Sequence, residues 1–202
     1  MSTTDKKVTA AVIMIGDEIL SGRTQDKNLG FIANWLGERG IRVMEARVVP
    51  DIEDEIVAAV NTLRAKFDYV FTSGGIGPTH DDITADSIAA AFGVSIGHHP
   101  EAMARLQAHY DASGIEFNEP RKRMARIPGT ATLIDNPVSK APGFQIGNVF
   151  VMAGIPSVMQ AMITGIEDRL TGGAKMLACS VAGQIAEGVI AEPLGVLQDK
   201  YP

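Results

Sequence analysis

Residues 68–92 read DYVFTSGGIGPTHDDITADSIAAAF. The first six are short, β-branched and aromatic, the composition of a buried strand. Gly74, Gly75 and Gly77 then break the run. Ile83, Ile88 and Phe92 recur at helical spacing, which predicts a helix over 81–92. A buried strand that passes through glycines into a helix is the repeating unit of a parallel α/β sheet, because parallel strands need crossover connections. Working back, residues 7–15 (KVTAAVIMI) suit a strand buried on both faces. Leu29, Ile32, Ala33 and Leu36 mark a helix over 26–39 that stops at Gly40. Residues 41–49 read as a second strand, and Asp51 is placed to cap a helix carrying Ile56, Val57, Val60 and Leu63. The β-α-β-α-β-α order predicts an α/β fold: a three-layer α/β/α domain with a mostly parallel sheet.

Toward the C-terminus the pattern predicts helices over 101–112 and 119–127, a strand over 130–134 and a Pro/Gly loop over 136–143. A hairpin of 144–146 with 149–152 follows, turning at Gly147-Asn148. Gly154-Ile155-Pro156 opens a helix reaching Leu170. Thr171-Gly172-Gly173 reads as a linker, dividing the chain into a domain of residues 1–171 and a small C-terminal β-α appendage of residues 172–202. The appendage comprises a strand over 175–182 and a helix over 185–198, interrupted at Pro193. It docks on the main domain or on a partner, or it belongs to a unit cut short. Ile185, Val189, Ile190, Leu194 and Leu197 exceed what so small an appendage buries alone, which points to a homo-oligomer.

The chain has 202 residues, 46% hydrophobic and 21% charged. These values exclude disorder, collagen and coiled coil. No apolar run reaches the length of a membrane span. The polar start, 1–7, does not resemble a signal peptide, so a cytoplasmic protein is expected. Net charge is −6, which argues against a nucleic-acid groove. The single cysteine, Cys179, excludes an intramolecular disulfide and a Cys-rich zinc site; its apolar surroundings read as buried filler.

The chemistry concentrates in residues 72–84. Gly74, Gly75 and Gly77 let backbone N–H groups approach a ligand. The helix that follows adds unpaired donors and partial positive charge, which suits a phosphate. The loop matches neither a Walker motif nor GxGxxG. Asp81 and Asp82 beside a phosphate make sense with Mg²⁺ between them, and Asp17, or its neighbour Glu18, at the end of the first strand can complete an oxygen-rich metal site. Thr79 with Asp82 also reads as a capping box, and Asp17-Glu18 as a solvated turn. Asn28 either contacts a ligand or is solvated at a helix start. Ser139 and Lys140 either hold phosphate oxygens or belong to a turn shaped by Pro137, Pro142 and Gly143. Lys122, Arg123 and Arg126 form a basic cluster, a solvated helix face or a phosphate screen. His80, inside the loop, is a candidate for proton transfer or phosphate contact, whereas adjacent His98 and His99 point apart.

The segment 72–84 resembles the signature of the MoaB/Mog molybdopterin-binding domain, TTGGTG followed by RD-hydrophobic-T. Thr72, Gly74, Gly75, Gly77, Asp82 and Thr84 match. Ile76 replaces a Thr, and Asp81 stands where the molybdenum-cofactor enzymes carry Arg. That departure, with GDEILSGR (16–23), NPVSKAPGF (136–144) and GIP (154–156), is similar to the N-terminal domain of CinA-type (competence/damage-inducible) proteins. The four motifs span about residues 8–170 in the family's order. The resemblance implies a pocket for a phosphorylated pterin or nucleotide, with Gly74, Gly75, Gly77, Thr79, Asn28, Ser139, Lys140, Gly143, Gly154 and Pro156 as ligand contacts. Asp82, Asp81 and Asp17 are expected as metal-binding and catalytic residues, with Mg²⁺ as the divalent metal. It further implies a metal-dependent nucleotide pyrophosphatase acting on ADP-ribose or FAD. Molybdopterin adenylylation and a non-catalytic binding module are the alternatives. Partners are expected to be small molecules and further copies of the chain, with no nucleic acid or membrane. The nicotinamide-mononucleotide deamidase unit that often follows in CinA proteins is not read in these residues.

Overall fold

A computed structural model describes residues 7–175, 179 and 181–201. In chain order the elements are β1 (Val8–Ile15), α1 (Asp17–Leu20), α2 (Asn28–Gly37), β2 (Ile41–Val49), α3 (Glu53–Lys66), β3 (Tyr69–Ser73) and α4 (Thr84–Phe92). They continue with β4 (Ile96–His98), α5 (Pro100–Ser113), α6 (Glu119–Lys122), a 3₁₀ turn (Arg123–Ala125), β5 (Arg126–Pro128), β6 (Thr132–Ile134), β7 (Gly143–Ile146) and β8 (Val149–Met152). The last are α7 (Pro156–Thr164), a 3₁₀ turn (Glu167–Arg169) and α8 (Glu187–Lys200). The main sheet has six strands in the order β2-β1-β3-β8-β7-β6. β2, β1, β3 and β8 run parallel, and β7 and β6 continue antiparallel. β4 and β5 form a separate antiparallel pair.

Alternation along β1 builds the three layers. Ala10, Val12 and Met14 face Ile32 and Leu36 of α2 and Met159 and Ile163 of α7. Ala11, Ile13 and Ile15 face Ile56, Val60 and Leu63 of α3 and Ile88 of α4. Phe71 and Phe150 stack across the β3–β8 seam with ring centroids 5.1 Å apart. A third apolar cluster, around Leu106, Phe117 and Ala125, holds α5 against the turn before β5.

Several elements differ from expectation. The helix over 119–127 is instead a four-residue helix, a 3₁₀ turn and a strand. Pro128 pushes Ile127 toward an extended conformation, and residues 126–128 pair with 96–98. α4 starts at Thr84 rather than Asp81, because residues 79–82 fold on themselves as a turn. Asp51 does not cap α3; its carboxylate accepts the Asp17 N–H at 3.0 Å, while Ile52 takes the N-cap position. α7 stops at Thr164, capped by Gly165, and α8 runs through Pro193. The strand expected over 175–182 falls partly outside the described residues, and its described members carry no strand. Cys179 is exposed rather than buried. No residue of α8 is buried. Among the described residues no helix is long and apolar enough to cross a membrane.

Candidate functional site

β1 and β3 are parallel neighbours, so the loops after Ile15 and Ser73 open at the same sheet edge. β8 is parallel to β3 and delivers Gly154 to that edge too. The glycine loop is fixed by bonds that leave no room for side chains. Thr84 donates its N–H to the Gly75 carbonyl at 2.9 Å and its hydroxyl to the Gly74 carbonyl at 3.0 Å. Gly75 sits at φ +68, where a Cβ would collide with the Thr84 hydroxyl. Gly74, at φ +113, lies against the Ile15 carbonyl.

A cleft of about 590 Å³ opens above this edge. Its walls come from Gly74, Gly75 and Gly77, from Asn136 and Ser139, from Gly154 and Pro156, and from Glu18 and Asp82. All four sequence motifs therefore border one cavity. Tyr110 and Met124 close the far side. The Tyr110 ring is stacked on Phe117 at 5.3 Å, which stiffens that wall.

Asn28 is the tie behind the cleft. It is 3% exposed, and its Nδ2 donates to the Ser73 hydroxyl at 2.8 Å and to the Gly154 carbonyl at 2.7 Å. Ser73 passes the connection on to the Ala153 carbonyl at 3.2 Å. The start of α2, the end of β3 and the loop after β8 are thus held by one side chain. Asn136 does the same for its own loop: Nδ2 donates to the Ser139 hydroxyl at 2.6 Å and the Ala141 carbonyl at 2.8 Å, and Oδ1 accepts from Val138 and Ser139.

The remaining expected residues divide. Thr79 lies behind the cleft wall, where its N–H donates to the Asp82 carboxylate at 2.7 Å and its hydroxyl also bonds that carboxylate. Only half of the expected capping box forms, inside the loop and ahead of the helix: Asp82 accepts the Thr79 N–H, but the Asp82 N–H goes to the Thr79 carbonyl at 3.3 Å rather than to the Thr79 hydroxyl. Lys140 does not border the cleft; it holds a left-handed φ of 64 in the 136–143 loop. Gly143 is buried in β7, where a Cβ would collide with the Val151 carbonyl, so sheet packing accounts for it. Asp17 and Asp81 lie outside the cleft lining, and Glu18 stands there in Asp17's place.

The acids nevertheless crowd this edge. Burial pushes the Asp51 carboxyl above its ordinary value, and the charges of Asp17, Glu18 and Asp81 push the same way against the Asp17 N–H. Asp81 is held low, chiefly by the Thr79 hydroxyl. Among the described residues no three His, Cys, Asp or Glu side chains are grouped to hold a metal, so Asp17, Asp81 and Asp82 do not form a closed ligand set. Ions such as Mg²⁺ take one or two carboxylates and complete their shell with water and substrate phosphate, and Glu18 and Asp82, which both border the cleft, are donors of that kind.

Residue-level reasoning missed Asn136, Tyr110 and Met124 as wall residues. Asn136 had a signal, an amide heading a Pro/Gly loop. Tyr110 and Met124 had none, since tertiary packing of the third cluster brings them in.

A family described as "Probable molybdopterin binding domain" matches residues 11–171. A CinA-like protein of Sulfurihydrogenibium is 38% identical over 159 residues, covering 76% of this chain and 40% of that relative. The chain thus spans well under two thirds of that protein's length. Among solved structures, the protein CinA from Thermoplasma acidophilum, a protein of unknown function, superposes with a TM-score of 0.73 at 36% identity. The alignment covers 80% of this chain and 98% of that one. The molybdopterin biosynthesis enzyme MoaB from Thermus thermophilus shares the fold with a TM-score of 0.53 at 14% identity, over 81% of this chain and 91% of that one. The chain is a molybdopterin-binding-type domain: it belongs to the probable molybdopterin-binding-domain family, is related to CinA-like proteins, and shares its fold with MoaB.

Proposed function

We propose that the cleft binds a phosphorylated pterin or nucleotide together with a divalent metal, and that it hydrolyses a nucleotide pyrophosphate such as ADP-ribose or FAD. The observation that carries this reading is the meeting, in one cavity, of a loop with three glycines, Gly74, Gly75 and Gly77, and two carboxylates, Glu18 and Asp82. The Gly74 N–H is taken by the Met152 carbonyl at 3.1 Å, so Gly75 and Gly77, which carry no Cβ, would offer the backbone N–H donors to phosphate oxygens. Ser139 accepts from Asn136 and keeps its own hydroxyl proton for a phosphate oxygen. Tyr110, Met124 and Ile155 supply the apolar walls that a pterin or base requires. Glu18 and Asp82, backed by the charges of Asp17 and Asp81, would hold Mg²⁺, which when bound would offset phosphate charge and acidify water. The Thr79 hydroxyl and N–H keep the Asp82 carboxylate oriented.

The test is a panel of ADP-ribose, FAD, NAD and ATP with Mg²⁺, Mn²⁺ or Co²⁺, scored by product release. Hydrolysis of a pyrophosphate is the expected outcome. Adenylylated pterin from pterin and ATP would assign the domain to transfer chemistry. Measurable affinity with no product under any metal would make it a binding module.

A further inference from the structure

Behind the glycine loop lies a second cavity of about 410 Å³, bordered by Pro78 and His80 of the loop, His98 of β4, Glu119 of α6, and Arg123 and Arg126. Pro78 is common to both cavities, so the loop is the partition between them. Two fixed guanidiniums stand in the second cavity. Arg126 grips Asp86 with two prongs, Nη1 to Oδ2 at 3.1 Å and Nη2 to Oδ1 at 2.6 Å. Arg123 donates Nε and Nη2 to the Asp82 carbonyl at 3.3 and 3.2 Å and lies 3.7 Å from the same Asp86 carboxylate.

Two guanidiniums thus share the Asp86 carboxylate, which offsets one of their two charges. Each guanidinium has five N–H donors. The described hydrogen bonds take two from each, so donors remain for an incoming anion. Both side chains are about 30% exposed, immobilised yet reachable. The acids nearby are already engaged. Glu119 is bonded to Lys122 at 2.6 Å, and the Lys122 bond first and His98 last hold its carboxyl low. Asp81 interacts with His80 and with the Thr79 hydroxyl.

We propose that this cavity is a second anion site, separate from the cleft, that takes a phosphate or phosphomonoester group on Arg123, Arg126 and His98. Planar guanidinium forks match phosphate geometry, and Arg126 is already held in the orientation such contact requires. The group comes either from a free phosphate compound or from the distal end of a molecule lying in the cleft. The proposal commits to binding that needs no cleft occupant.

The experiment is a ¹⁵N NMR titration of the whole chain with inorganic phosphate at constant ionic strength. Saturable shifts are expected at His80, His98 and the Arg123 and Arg126 Nε–H groups. Arg123→Gln is expected to weaken phosphate affinity about tenfold, the loss of a charge-assisted contact. Ile155→Trp, which fills the cleft mouth, should leave it unchanged. His98→Leu, at an exposed strand end, gives a second reading should Arg123→Gln fail to fold, and is expected to weaken binding about threefold. Shifts confined to residues 74–77, loss of binding in Ile155→Trp, undiminished affinity in His98→Leu, or no saturation would each overturn the proposal.

Discussion

Replacing Gly75 by alanine would push a methyl into the most constrained point of the cleft. The backbone there is at φ +68, and a left-handed conformation costs an L-residue about 1 kcal/mol or more. The new Cβ would also lie 3.1 Å from the Thr84 Cβ and collide with its hydroxyl. Thr84 is fully buried and cannot swing away without giving up its 3.0 Å bond to the Gly74 carbonyl. A lost buried hydrogen bond is worth about 1 kcal/mol, and forced overpacking about 1 more. The total is about 3 kcal/mol, which in a domain of this size lowers Tm by about 6–12 °C. Thermal and urea unfolding of Gly75→Ala, Thr84→Ala and the double variant measure this directly. With the Thr84 hydroxyl already removed, adding the methyl at Gly75 should cost less, the backbone share of about 1 kcal/mol plus the remaining 3.1 Å contact with the residue 84 Cβ. A Gly75→Ala protein with unchanged Tm would refute the steric argument. Strict additivity in the double variant would show that Thr84 is not what the methyl meets.

Asp82→Asn keeps an acceptor for the Thr79 N–H while removing the charge, so turnover should drop strongly with the fold intact; unchanged turnover would remove Asp82 from the site. Asn28→Leu breaks the bonds to Ser73 and Gly154 and should cost about 2 kcal/mol in urea unfolding, with faster amide exchange at Gly154 as a second readout. Because the folded Asp51 carboxyl is pushed up, the folded state binds a proton that the unfolded state has already released, and stability falls as pH rises through that window. Asp51→Asn should therefore raise Tm near neutral pH, and the gain should disappear in acid; a gain independent of pH would contradict the charge-crowding account. Light scattering at micromolar concentration is expected to give a multiple of 21.4 kDa, consistent with the exposed Val189, Leu194 and Leu197 of α8; a monomer mass would refute it.

The first half of the fold was legible because each element carries its own signal. Val8–Ile15 is apolar on both faces and lies between helical layers. Apolar periodicity in Asn28–Gly37 and Glu53–Lys66 points each helix at the sheet. Residues 119–127 misled because helical spacing was read across a proline-terminated strand whose partner, Ile96–His98, is too short to announce itself. Asp51 misled for a different reason. A carboxylate before a helix reads as a cap, but here the N–H of Asp17, the first residue of α1, competes for it. The glycine loop and Gly154 were readable as parts of one cleft once the strands were taken as parallel. Asp17 and Glu18 were both readable as candidates, but the choice between them was not, since it depends on the direction of a single turn of helix, Asp17–Leu20.

The seam between β3 and β8 joins Val70 to Val149 and Ser73 to Met152, across all the chain from α4 to β7. Contacts of such sequence separation form late, because the loop between them must close before any pairing rewards it. The units β1, β2 and β3 with α2 and α3 are built from nearer neighbours. A refolding chain would accordingly possess a parallel sheet and a glycine loop before it possessed a cleft. Gly154 reaches Asn28 only when β8 docks, so a ligand that touches both Gly154 and the glycine loop recognises the finished chain alone. Ligand affinity would then serve as a kinetic clock for the last step of folding, lagging behind the recovery of helical signal.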